Sequence, residues 1–146
     1  MTAKVLFLCT GNYYRSRFAE MLFNHEAAKR GLDWIADSRA LALEFGTGNI
    51  GPISSYTLAR LQQMGVNVEA ALRFPKQVEE SDLQAADLII ALDRSEHESM
   101  VAKRLPAWRE RIHYWEVADL YLRPADEALG QIATQVAALI DQCSVK

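Results

Sequence analysis

Val5-Leu6-Phe7-Leu8-Cys9-Thr10-Gly11-Asn12-Tyr13-Tyr14-Arg15-Ser16 is the stretch that decides how this chain reads. Its first four residues form an unbroken apolar run, the mark of a strand covered on both faces. Gly11 and Asn12 are the residue types that best tolerate a left-handed turn. Helical spacing sets in at about Arg17. In a strand, tight loop and helix, successive N–H groups aim at one point, backed by the positive end of the helix, so the segment predicts an anion-binding nest. The loop lacks the GxxxxGK[ST] pattern, which excludes a nucleotide-binding loop of that type.

Cys9 ends the strand and Arg15 opens the helix, with the nest between them. A thiol beside a cation or a helix N-terminus gives up its proton more readily than a free one. Cys9 is therefore a candidate nucleophile towards phosphorus. Arg15 offers a planar fork of donors for two phosphate oxygens, which lysine does not reproduce. Ser16 is placed to donate to the sulfur and improve it as a leaving group. An isolated cysteine is more often a small buried residue. Here the strand before, Gly11-Asn12 within, Ser16 after and the helix beyond favour chemistry.

Outward from this segment, apolar runs alternate with helical periodicity, as in βαβ units around a parallel sheet. Residues 4–8 read as a strand and 17–30 as a helix with Ala19, Leu22, Phe23 and Ala27 on one face. Gly31 suits the helix end, with Lys29 and Arg30 complementing its negative pole. Residues 33–40 predict a second strand, and 44–52, with Gly46, Gly48 and Gly51, a loop. Ser54 or Ser55 then caps a helix carrying Leu58, Leu61 and Met64 and closed by Gly65. Residues 72–75 fit a short strand or an extended loop. Residues 88–92 give the clearest central strand after the first. Ser95-x-x-Glu98 is a capping-box pattern opening a helix towards Lys103. Residues 112–115 supply a fourth strand, and 126–143 a last helix striped by Leu129, Ile132, Ala133, Val136 and Ile140. With no repeat or linker, one domain over 1–146 is expected.

Composition narrows the function classes. The chain has 146 residues, half of them hydrophobic, and a net charge of −3. That size supports one well-filled core, and that charge gives no bulk attraction to nucleic acid. No apolar run approaches the roughly 20 residues a bilayer span needs. Residues 1–4 lead into a strand too soon for a secretory signal, and two cysteines make no disulfide framework, so a cytoplasmic setting is expected. His25, His97 and His113 lack metal-ligand spacing, and no metal or cofactor is expected.

Phe7-Leu8-Cys9-Thr10-Gly11-Asn12, then Arg15-Ser16, then Ala19-Glu20, resemble the N-terminal signature of the low-molecular-weight protein tyrosine phosphatase family. Ser38 at the end of the second strand is similar to a serine that supports that family's phosphate loop. Residues 86–93 resemble a core strand ending in aspartate, here Asp93. Residues 115–121 resemble the segment bearing the family's catalytic acid. The resemblance implies an α/β three-layer sandwich with a four-stranded parallel sheet flanked by helices and the phosphate loop after strand 1. It implies Cys9 as nucleophile, Arg15 as phosphate clamp and Asp119 as general acid and base, with a phosphocysteine intermediate. Substrate contacts would come from Thr10, Gly11, Asn12, Tyr13, Tyr14, Ser16 and Tyr121, supported by Ser38. The substrate implied is a phosphotyrosine protein or a small aryl phosphate. Asp126 is the rival acid, although it suits a helix start.

Several positions depart from the family pattern. Tyr14 stands where many relatives carry a second cysteine that captures an oxidised nucleophile, and Cys143 is no obvious replacement. Arg17 replaces a common proline and suggests added positive charge for acidic substrates. Leu120 replaces the proline after the acid, and Leu122 a second aromatic. Arg73 falls near a bracing histidine, which leaves Asn12, Ser16 and Ser38 to support the loop. Phe45 is near enough to serve as an aromatic wall. A large residue at position 13 fits aryl phosphates better than the small threonine of phosphoarginine-directed relatives. The altered acid segment leaves a phosphate-binding protein with little turnover as the alternative. An arsenate reductase is disfavoured because residues 70–95 hold no cysteine.

Overall fold

The computed structural model describes residues 2–68, 72–120 and 122–144. Strand β1, Ala3–Cys9, is buried from Val5 to Cys9, so it has a neighbour on each edge and a layer on each face. It pairs in parallel with β2, Trp34–Ala40, on one side and with β3, Leu88–Ala91, on the other. Strand β4, Ile112–Tyr114, adds in parallel to β3, and the strand order is β2-β1-β3-β4. The first crossover runs to one side of β1 and the next returns to its other side. The carboxyl ends of β1 and β3 therefore flank the switch point where open α/β sheets hold ligands. Cys9 is the last residue of β1.

Alternation along β1 separates the two covering layers. Val5, Phe7 and Cys9 pack with Phe18, Phe23, Leu61, Val136 and Ile140, under helices α1 (Arg15–Lys29), α2 (Ser55–Gln63) and α5 (Ala125–Ser144). Leu6 and Leu8 face Leu83, Ile89, Val101 and Trp108, under α3 (Glu80–Ala85) and α4 (Arg94–Arg104). Gly31 leaves α1 at φ 65, as a left-handed helix end requires. Among the described residues no helix is long and apolar enough to cross a membrane.

Local details differ from the expectations at several places. Helix α1 begins at Arg15 rather than Arg17, directly out of the loop. Of the two forms expected for residues 72–75 the loop is found, and an isolated parallel bridge joins Gln77 to Ala40. Helix α3 escaped the sequence reading because its six residues are too few to show a period. Glu79 N–H donates to Asp82 Oδ2 at 2.8 Å, so a capping box lies here. At α4, Asp93 is the N-cap rather than Ser95, and its carbonyl accepts from the N–H groups of Glu96 and His97. The predicted loop 44–52 also holds part of a 3-10 turn, Leu43–Gly46.

Phe7 ties the sheet to its α1 face: its ring meets Phe23 edge-on at 6.2 Å and Trp115 tilted at 5.6 Å. Phe7→Ala should lower unfolding free energy by about 3–5 kcal/mol, read by chemical denaturation. A loss below about 1 kcal/mol would mean that this contact does not anchor the layer.

Candidate active site

The segment from Cys9 to Arg15 wraps one end of a pocket. Its lining includes Cys9, Thr10, Gly11, Tyr13, Tyr14 and Arg15 from this segment, and Phe45, Gly46 and Asn49 opposite. Ser54, Asp119 and Leu120 complete it. Cys9 is only 2 % exposed because it forms part of the pocket wall at the end of a central strand. Helix α1 starts with no side-chain cap and no acidic residue in its first turn. Among the described residues, the N–H groups of Gly11, Asn12, Tyr13 and Tyr14 donate to no backbone carbonyl. The positive helix end and these donors favour an anion beside the Cys9 sulfur.

Asn12 fixes the loop. It is fully buried and the only described non-glycine residue with positive φ, at 53°. Its Nδ2 donates to Ser16 Oγ and Ser38 Oγ, both at 2.8 Å. Its Oδ1 accepts from Arg73 Nη1 at 3.0 Å and from Lys76 N–H at 3.2 Å. The side-chain amide thus meets its full hydrogen-bonding complement. Ser16 Oγ accepts from Asn12 and also from the Cys9 thiol, 3.0 Å away, so once that thiol loses its proton the Ser16 hydroxyl is in place to donate to the sulfur. Ser38 Oγ in turn donates to Glu20 Oε1. Burial pushes the Glu20 carboxyl up, against the lowering by Ser38, Arg17 and Arg73.

Arg73 belongs to this network, which corrects the expectation that Asn12, Ser16 and Ser38 brace the loop without it. Besides Asn12, its Nη2 donates to the Ser38 carbonyl at 2.7 Å and lies 3.3 Å from Asp37 Oδ1. Arg17 is corrected too. It is fully buried, donates to the Arg73 carbonyl and lies 3.9 Å from Glu20, and it does not line the pocket. Its charge is absorbed inside the fold and offers nothing to an acidic substrate.

Arg15 is 2 % exposed and turned inwards. Its Nη1 donates to the Val117 carbonyl at 2.9 Å and its Nη2 to Glu96 Oε2 at 2.8 Å. Asp119 Oδ2 is 3.7 Å from the same Nη2. Burial opposes the Arg15 charge, but Cys9, Glu96 and Asp119 outweigh it and raise its pKa further. The sequence reading missed Glu96, which α4 brings from 81 residues away. No local pattern marks it: it sits in the first turn of an ordinary charged helix. Glu96 Oε2 also accepts from Thr10 Oγ1. His97 Nδ1 accepts from Asp93 N–H, so neutral His97 carries its proton on Nε2, 3.2 Å from that same Glu96 oxygen. Burial alone would raise the Glu96 pKa, yet donors from His97, Arg15 and Thr10 hold it well below the usual carboxylate range. Burial, with Arg15, keeps His97 below its ordinary value against the pull of Glu96.

The remaining expected residues divide. Tyr13 lines the pocket, its hydroxyl donating to the Ile50 carbonyl, and Phe45 faces the same space. Ser38 sits behind the loop. Tyr14 also lines the pocket, although little of it reaches solvent. Asp126, the rival acid, is fully exposed at the start of α5, lies 3.8 Å from Arg60, and does not line the pocket. Tyr121 lies outside the described residues. Leu122 is exposed. Among the described residues no group of three or more His, Cys, Asp or Glu is placed to hold a metal.

A family model for low molecular weight phosphotyrosine protein phosphatase matches residues 4–143. The Bacillus subtilis (strain 168) low molecular weight protein-tyrosine-phosphatase YfkJ is 39 % identical over 90 residues, 61 % of this chain. That alignment spans 55 % of the relative's own length. The crystal structure of YfkJ superposes with a TM-score of 0.82 at 27 % identity, covering 97 % of this chain and 94 % of that one. The low molecular weight protein tyrosine phosphatase from T. tengcongensis gives 0.75 at 29 %, covering 96 % of each chain. YwlE arginine phosphatase from Geobacillus stearothermophilus gives 0.75 at 19 %, covering 96 % of this chain and 92 % of that, a likeness of fold alone.

Two measurements test the supports around the loop. Arg73→Met keeps length but removes the donors to Asn12 and Ser38, and should weaken inorganic phosphate binding by roughly tenfold in calorimetry. Unchanged affinity would detach Arg73 from the pocket. Acidification should lower stability in two stages. His97 is neutral in the fold, so an unfolded histidine gains its proton first, below a pH of about 6.5. Glu96 has a depressed folded value, so its contribution is complete above about pH 5 and is lost as pH falls through that value. Glu96→Gln should therefore cost about 1–3 kcal/mol at neutral pH, with the gap to wild type closing towards pH ~2. A gap that stays constant from pH 6 to pH 3 would contradict this.

Proposed function

The chain belongs to the low molecular weight phosphotyrosine protein phosphatase family, and from that premise we propose that it hydrolyses phosphotyrosine or similar aryl phosphates through a phosphocysteine. One observation carries this reading. Cys9, the Arg15 guanidinium and the Asp119 carboxylate line a single pocket, with Asp119 Oδ2 3.7 Å from Arg15 Nη2 and amide donors between Cys9 and Arg15. A phosphoryl dianion seated on the loop amides takes up the Arg15 donors that Val117 and Glu96 leave over, and lies against the sulfur.

Cys9 Sγ attacks phosphorus while protonated Asp119 delivers its proton to the departing phenolate. The S–P bond forms as the P–O bond breaks. Water then attacks phosphorus, Asp119 takes its proton, and the sulfur leaves with the Ser16 hydroxyl donating to it. Arg15 and the loop amides carry the charge of the equatorial oxygens in both steps, so the proposed route uses no metal. Tyr13, Phe45 and Leu120 give the pocket apolar sides, which suit a phenyl ring. The pocket, about 260 Å³, is small for a ligand site, so it holds the phosphoryl group and one ring while the peptide stays outside.

Turnover of p-nitrophenyl phosphate in chelator-treated buffer, abolished by Cys9→Ser, is the expected result. Asp119→Asn should lower kcat on phenyl phosphate by roughly 10²-fold or more, with a smaller loss on p-nitrophenyl phosphate and little change in KM. Phosphate binding without turnover would leave a binding protein instead. Preferred release of phosphate from phosphoarginine over phosphotyrosine peptides would move the substrate class.

A further inference from the structure

The Tyr14 hydroxyl is a buried polar atom with no hydrogen-bond partner. Tyr14 is 6 % exposed and belongs to the wall shared by Cys9, Arg15 and Asp119. Its backbone is committed: the carbonyl accepts from Phe18 N–H at 3.1 Å and from Thr57 Oγ1 at 3.0 Å, tying the first turn of α1 to α2. The backbone at Tyr14 cannot move far without disturbing both helices. The oxygen is closed to solvent, so its partner has to come from the protein. A phenylalanine would fill the wall without this cost, since an unpaired buried hydroxyl destabilises a fold.

Asp119 is the neighbour whose circumstances change when substrate arrives. In this structure Asp119 Oδ2 faces Arg15 Nη2, and Oδ1 accepts the Leu120 N–H at 2.8 Å. A phosphate dianion on Arg15 removes that cation from Asp119 and repels its carboxylate. Burial first, and then the Asp119 charge, push the Tyr14 phenol up to about 12, against the lowering by Arg15. The phenol therefore stays protonated at working pH. Tyr56 and Asp126 act on it more weakly.

We propose that, with phosphate in the loop, the Asp119 carboxyl turns from Arg15 to accept the Tyr14 hydroxyl, which makes Tyr14 the positioning residue for the general acid. This rests on the phosphatase reading, with Asp119 as acid and base. One Asp119 oxygen carries the proton to the leaving phenolate, and the other accepts from Tyr14 O–H throughout. As P–O cleavage proceeds, the carboxyl becomes carboxylate and its bond to Tyr14 strengthens, so the contact stabilises the transition state more than the ground state. In the second step the same carboxylate takes the proton from water. The Tyr14 proton never leaves its oxygen.

Tyr14→Phe separates this role from packing. Wild type and Tyr14→Phe, each with and without Asp119→Asn, are compared by thermal melting and by kinetics on phenyl phosphate and p-nitrophenyl phosphate. Tyr14→Phe should melt at the same temperature or higher. Its kcat on phenyl phosphate should fall by about tenfold, with a smaller loss on p-nitrophenyl phosphate and unchanged KM. With Asp119→Asn the effect of Tyr14→Phe should disappear. A vanadate-bound crystal structure should place Tyr14 Oη within about 3.2 Å of the Asp119 carboxyl. A stabilised variant with wild-type kcat on both esters overturns the role, as does an equal loss on both or a loss that persists beside Asp119→Asn. A wild type without turnover sinks the phosphatase reading and this proposal together, whereas an active wild type matched by Tyr14→Phe sinks this proposal alone.

Discussion

A left-handed turn at Asn12, closed off from water, is the constraint to which the pocket is referred. A residue with φ > 0 costs free energy unless its surroundings hold it there. Here the holding is done by the side chain: two donors to Ser16 and Ser38, and two acceptances from Arg73 and Lys76. Each partner is itself engaged elsewhere. Ser16 reaches the Cys9 sulfur, Ser38 reaches Glu20, and Arg73 reaches the end of β2. The loop amides converge because this amide cannot turn without leaving several buried groups unpaired at once, which is the costly way to break a buried network.

Charge is balanced around that turn on both sides of the sheet. Arg15 is nearly inaccessible to solvent, and a buried guanidinium without partners would be strongly destabilising. Helix α4 supplies Glu96, whose oxygen also collects Thr10 and the proton-bearing nitrogen of neutral His97. On the β2 side, Asp37 and Glu20 sit against Arg73 and Arg17. The strand order makes this possible: β2 and β3 flank β1, so residues at their carboxyl ends reach the loop from opposite sides. Glu96 takes only part of the Arg15 fork, so the positive centre is positioned without being fully spent.

What was legible in the sequence was what is local. The run from Val5 to Leu8 announced a doubly covered strand, and Gly11-Asn12 announced the turn. Cys9, Arg15 and Ser16 are brought together because they are neighbours along seven or so residues of one strand, loop and helix. Glu96, His97 and Arg73 gave no such signal, since the residues of the first loop and helix that they meet, Arg15, Thr10 and Asn12, lie between 61 and 87 positions away. Arg17 looked like a surface charge because a sequence does not reveal that Glu20 and the Arg73 carbonyl are waiting to receive it. Ser95-x-x-Glu98 mimicked a helix start, but Asp93 caps the helix two residues earlier, and the Ser95 hydroxyl bonds the Asp93 carboxylate instead. A capping pattern just inside a helix reads the same as one at its boundary.

The two halves of the pocket differ in how far their polar groups are satisfied, and that difference has a mechanical reading. Around Cys9 and Asn12 the side-chain donors and acceptors are engaged within the fold, which favours one geometry for the sulfur and for the loop amides that face the anion. On the Asp119 side the carboxylate is about a third exposed, with a 3.7 Å approach to Arg15 and one short bond from its neighbour's N–H. Leu120 and Leu122 beside it are exposed, and the buried Tyr14 oxygen has no partner. A group that must deliver a proton in one step and accept one in the next needs more than one favourable setting for its carboxyl. A saturated network offers a single setting. The unsatisfied half is therefore where a change of partner costs least, and the saturated half is what keeps that change from disturbing the nucleophile.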